Sequence, residues 1–181
     1  MGSIVRVKQP EFNLRSRLNE LDYDKVPYEK MPPGSIIQVR YTHIDTTSSS
    51  HNSSSTTYND TGHDVLISPR FSNSKVLVSL GVQIYATNSA HHSYVGIVRD
   101  DDIGSGVHNS SNNVLFHAST LWESSGPGQA NNISFSYLDS PQTTDEVKYS
   151  MYIKSDNSSN TVYINGSSNS DAFIMAQEVK Q

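Results

Sequence analysis

The chain has 181 residues, no cysteine, 17% charged residues and a formal net charge of −5. The missing thiols exclude disulfides and thiolate metal sites, and the acidic balance argues against a nucleic-acid footprint. No apolar run approaches the roughly 20 residues that cross a bilayer, and the N-terminus lacks the positive-then-apolar pattern of a secretory signal.

In chain order, Pro10 to Tyr23 holds the helical pattern. Leu14, Leu18 and Leu21 follow at spacings of four and three, behind Pro10 or Asn13 as a start signal. A helix of about ten residues is marginal in water by itself, so its leucine stripe needs a cover. Two covers fit: the β-domain or a neighbouring subunit, and a short helical bundle on an oligomer axis. Leu14, Leu18 and Leu21 are therefore the candidate oligomerisation residues. Pro27 and Met31-Pro32-Pro33-Gly34 then break the chain. They divide it into an N-terminal extension with helix and linker (1–30) and a β-domain (31–181).

Ser35 to Ile44 predicts the first strand, with Ile37, Val39 and Tyr41 on one face. Asp45 to Thr57 is nearly all Ser, Thr, His and Asn and predicts a low-complexity loop that buries nothing. Thr61-Gly62-His63 predicts a turn into Val65-Leu66-Ile67, which Pro69 ends. The longest strand signal is Ser74 to Tyr85. Val76, Val78, Leu80, Val82 and Ile84 recur at every second position, which places them on one face of a strand in a core. That period predicts the centre of an antiparallel sheet whose other face is wet or thinly covered.

Further strands are predicted at His92 to Arg99, Val114 to Trp122, Asn132 to Leu138, Val147 to Ile153, Val162 to Ile164 and Ala172 to Val179. The turns between them carry Gly126-Pro127-Gly128, Asp139-Ser140-Pro141 and Asn165-Gly166. Nine or ten short strands with turns at this spacing give an all-β fold, an antiparallel sandwich or jelly roll with a short N-terminal helix.

The residues that could carry chemistry are few. Asp100-Asp101-Asp102 is an acidic turn that could attract calcium, but it has no regular ligand spacing. His91 and His92 are adjacent and would point to opposite faces of a strand. There is no His-x-His pair, His-Glu-x-x-His motif, nucleophile elbow or phosphate loop. Glu123 and Glu146 are not singled out as a glycosidase pair. The expectation is a protein that is not an enzyme, with no cofactor and no metal. Binding is expected on the long uncharged loops, which hold His51 and His108, with Tyr58 and Trp122 supplying ring surface.

Several segments together resemble a family of tailed-bacteriophage fibre and receptor-binding domains, common in phages of aquatic bacteria. They are Met31-Pro32-Pro33-Gly34-Ser35-Ile36-Ile37-Gln38-Val39, Thr61-Gly62 leading to Val65-Leu66-Ile67-Ser68-Pro69, and Asn73-Ser74-Lys75-Val76-Leu77-Val78. Val98-Arg99-Asp100, Ile133 to Pro141, Tyr163-Ile164-Asn165 and Ala176-Gln177-Glu178 follow in the same order. The resemblance covers about residues 31–181 and departs from the usual pattern at His63. It implies a homotrimeric jelly roll on the outer surface of a virion that binds a host-surface glycan or protein. Other virion proteins would attach through the N-terminal segment, with no nucleic acid and no membrane insertion. A head-fibre or decoration protein without a receptor site and a lectin-like carbohydrate-binding module are the alternative readings.

Overall fold

The computed structural model describes residues 27–44, 51–87, 91–100, 114–121, 129–164 and 171–181. The expected helix with Leu14, Leu18 and Leu21 lies outside them, as do His108 and Trp122. The chain forms two compact units, Met1–Pro32 and Pro33–Gln181. Within the first, Tyr28–Lys30 makes one 3-10 turn, closed by Lys30 N–H to Pro27 O at 2.8 Å.

The second unit is an antiparallel sandwich. Its strands are β1 (Ile36–Ile44), β2 (His51–Ser53), β3 (Asn59–Ile67), β4 (Lys75–Ala86), β5 (His92–Asp100), β6 (Val114–Leu121), β7 (Gln129–Asp139), β8 (Val147–Ser155), β9 (Val162–Ile164) and β10 (Ala172–Val179). The smaller sheet runs β3-β8-β5-β6 and the larger runs β1-β10-β4-β9-β2, with β7 on the far edge of β4. All pairings are antiparallel.

β4 is the centre of the larger sheet, as its period predicts. Val76, Val78, Leu80, Val82 and Ile84 are at most 4% exposed and meet Val95, Ile97, Tyr149, Met151 and Ile153 of the other sheet. Each such aliphatic burial contributes about 1.5–3 kcal/mol, which is why the alternation is strict here.

Three expectations need correction. β1 does not present Ile37, Val39 and Tyr41 on one face, because an extra residue interrupts its register with β10 between Ile36 and Gln38. Ile37 is buried at 7%, while Val39 and Tyr41 turn outward at 50% and 57% exposure. One inserted residue moves every later side chain to the opposite face. Residues 45–57 are not wholly a loop either. His51–Ser53 pairs with β9, and Ser53 is buried, accepting hydrogen bonds from Ser55 N–H at 3.1 Å and Asn59 Nδ2 at 2.7 Å. Finally, Thr61-Gly62-His63 is a bulge inside β3 and not a turn before it. Gly62 has φ +71, and its N–H donates to Asp60 Oδ1 at 2.8 Å. Thr61 Oγ1 donates to Met151 O at 2.7 Å, which pins the bulge to β8.

Two buried polar networks are centred on Asp139 and Glu178. Asp139, 5% exposed, accepts from Arg99 Nη1 at 2.9 and 3.0 Å and from Tyr149 Oη at 2.8 Å, tying the end of β7 to β5 and β8. Glu178 is fully buried and accepts from Gln38 Nε2 at 2.7 Å, Arg70 N–H at 2.8 Å and Phe71 N–H at 3.3 Å. It fixes the β3–β4 connection on the larger sheet. A buried carboxylate persists only when its oxygens are satisfied in this way.

Candidate functional site

The outward face of the larger sheet contains a fork. β4 pairs with β10 from Lys75 to Gly81 and with β9 from Ile84 to Ala86, while β7 follows its other edge throughout. Val82 and Gln83 fall between the two partners, and among the described residues neither has a paired strand on that side. A groove of about 390 Å³ opens at this fork, framed by Gly81, Gln83, Asn132, Ser134, Asp171 and Phe173.

Local chemistry explains its shape. Phe173, opposite Gly81 in the register, lays its ring over the glycine. A Cβ at position 81 would overlap Phe173 Cε1 and come within 3.0 Å of Cζ, so any other residue here would force the ring to shift. Tyr41 stacks on the other side of Phe173, with centroids 5.9 Å apart and planes at 24°. Across the groove, Gln83 Nε2 reaches Asn132 Oδ1 at 3.4 Å, and Gln83 Oε1 is buried with no partner among the described residues. Asp171, 74% exposed, lies 3.6 Å from His43 Nε2. The groove thus offers a carboxylate, two amides, a hydroxyl and an aromatic ring within one depression. That set hydrogen-bonds and stacks on a polar ligand rich in hydroxyl or amide groups. Among the described residues no three His, Asp or Glu side chains converge to hold a metal.

The outward face of the smaller sheet is covered at its centre. Tyr58 packs there against Val98 and Tyr152, with Tyr94 and Val114 at the margin. Lys154 Nζ lies 4.7 Å from the ring centroids of both Tyr58 and Tyr94, a double cation–π contact. His117 completes the cluster, 6.2 Å from Tyr58 and 6.0 Å from Tyr94. The Tyr58 hydroxyl is buried without a partner among the described residues. Burial, with the neighbouring Tyr94, pushes its pKa from 10.0 up to about 12.

Of the sequence candidates, Tyr58 therefore needs correction: at 8% exposure its ring is packing, not a platform for a ligand. His51 is half-buried on β2, opposite Ile164 of β9. The groove residues Gln83, Asn132, Asp171 and Phe173 are ones that sequence reasoning misses. The available signal was Gly81, an isolated glycine inside a strand, which marks a bulge or a close approach.

No family model matches the sequence, and no curated protein matches it. Solved structures similar to this chain include the infectious bursal disease virus VP2 subviral particle, at 9% identity and a TM-score of 0.40. That match covers 81% of this chain and 38% of the other. The infectious bursal disease virus Gx strain structure is similar at 12% identity and a TM-score of 0.33, covering 86% of this chain and 42% of that one. The chain thus spans about two fifths of the length of these viral chains.

Proposed function

We propose that this chain is a surface module of a virion, of the tail-fibre or receptor-binding kind in a bacteriophage, that assembles as a homotrimer. It attaches the particle to a host-surface glycan or protein, and residues 1–30 join it to other virion proteins. The order of the resembling segments supports this reading, and four of their residues, Arg99 with Asp139 and Gln38 with Glu178, bond to one another across strands. The observation that carries recognition is the groove at the fork of the larger sheet, where Phe173 adjoins the polar groups of Gln83, Asn132, Ser134 and Asp171. Hydrogen bonds of this kind contribute about 1 kcal/mol each, and about 1.5–3 when one partner is charged. One groove therefore binds weakly, and three on one particle add avidity on a cell surface.

The test is adsorption of fluorescent protein to host cells. The double variant Asn132→Ala/Asp171→Ala should weaken adsorption by at least about ten-fold, since about 1.4 kcal/mol is a factor of ten. Asn132 and Asp171 both lie at the surface, so the thermal midpoint should stay within a few degrees. Undiminished adsorption would remove the groove as the recognition site. Wild-type protein that adsorbs to no host cell would move the reading to a decoration protein without a receptor.

A further inference from the structure

Below the groove the same sheet face changes character. Outward-pointing residues line up across four strands in register: Val39, Gln177, Leu77 and Leu138 in one row, and Tyr41, Met175, Ser79 and Ser136 in the next. Ile36 and Val179 pair beneath them, beside Lys75. Six large apolar side chains are prominently exposed among the described residues. Four of them belong to this half-face: Ile36 at 51%, Val39 at 50%, Tyr41 at 57% and Leu138 at 48%. Scattered exposed apolar residues are ordinary, whereas a contiguous patch marks a contact surface.

We infer that this apolar half-face is where copies of the chain meet. The inference rests on the homotrimeric reading above and names the surface that serves it. Charge and area single out a second copy as the occupant. Lys75 is the one charge on these rows among the described residues, so the face sets up little repulsion between copies and calls for no acidic or basic partner. Four strands about 4.8 Å apart, over the five residues from Lys75 to Ser79 at about 3.3 Å each, project roughly 320 Å². Side chains in relief add accessible area to this, towards the ~800 Å² per partner of a stable contact. The patch also runs from β1 at one edge of the sheet to β7 at the other. Neighbours around a closed ring can therefore each contribute a different edge.

The native chain has no cysteine, so single-cysteine labelling is clean. Full-length Val39→Cys and Leu66→Cys would be made, Leu66 being 40% exposed on the other sheet. Masses come from light scattering, and labelling rates from a maleimide dye. The expected wild-type mass is roughly 60 kDa, three chains of 20.0 kDa, with Val39→Cys labelled at least ten-fold more slowly than Leu66→Cys. A Val39→Cys chain that fell to 20.0 kDa while the wild type stayed trimeric would also support the inference. A trimeric Val39→Cys variant that labelled as fast as Leu66→Cys would overturn the face and leave the trimer standing. A wild type that ran as a monomer at micromolar concentration would overturn both.

Discussion

Each sheet carries a glycine beneath an aromatic ring on its outward face, and the two rings arrive from different places. Gly96 of β5 lies under Tyr58, delivered by the segment between β2 and β3. A Cβ there would meet Tyr58 Cε1 at 3.3 Å, Val114 Cγ1 at 3.1 Å and the Phe116 carbonyl at 3.3 Å. Gly81 of β4 lies under Phe173, delivered by the neighbouring strand β10. A ring brought by a separate segment spans several strands at once, and Tyr58, Val98 and Tyr152 end up buried. A ring brought by the adjacent strand covers one position only, so the face beyond it stays open. The difference teaches that both sheets have the same local pattern, and that the source of the cover decides how many neighbouring side chains each ring buries.

The sharpest way to break this comparison is to remove both rings. Tyr58→Ala should cost about 3–5 kcal/mol, the usual range for deleting a buried aromatic side chain. Phe173→Ala should cost about 1 kcal/mol, because its ring is only half-buried and forfeits part of that range. Urea unfolding measures both, and equal losses would mean that the two faces are covered alike.

A smaller effect follows from the Tyr58 hydroxyl. Its pKa is about 12 in the folded chain against 10.0 in the unfolded one, so between these values the unfolded state releases its proton first. The contribution is fully present below pH 10 and is lost as pH rises towards 12, at up to about 1.4 kcal/mol per pH unit. The chain holds ten tyrosines, so the readout is the difference between wild type and Tyr58→Phe. Parallel stability curves from about pH 9 to pH 12 would show that the hydroxyl is solvated. Near neutral pH, Tyr58→Phe should be neutral or slightly stabilising, since no partner is lost.

The smallest expected effect separates a hidden serine from an open one. Ser53→Ala removes an acceptor that two donors use inside a buried site and should cost about 1–2 kcal/mol. Ser79→Ala breaks an exposed hydroxyl pair with Ser136 on the open face and should cost under about 0.5 kcal/mol. Thermal melts of the two variants should differ by several degrees. Indistinguishable melts would return residues 51–53 to the status of an unstructured loop.

The fold class and the central strand were legible in the sequence because their signal is local. Val76 to Ile84 alternate strictly, since each inward side chain must leave water, and that period needs no knowledge of a partner. Turn residues likewise act within a few positions. What the sequence left hidden depends on pairings between distant segments. The outward turn of Val39 and Tyr41 follows from the extra residue after Ile36, visible only once β1 is set against β10. His51–Ser53 reads as loop because its strand character comes from β9, far along the chain. The groove joins β4, β7 and the start of β10 at a fork where one strand exchanges partners. Composition and periodicity therefore determined that this chain is a sandwich centred on β4. Only the tertiary pairing decided which parts of the outward faces stayed open, because exposure is a property of what lies across from a residue and not of what lies beside it.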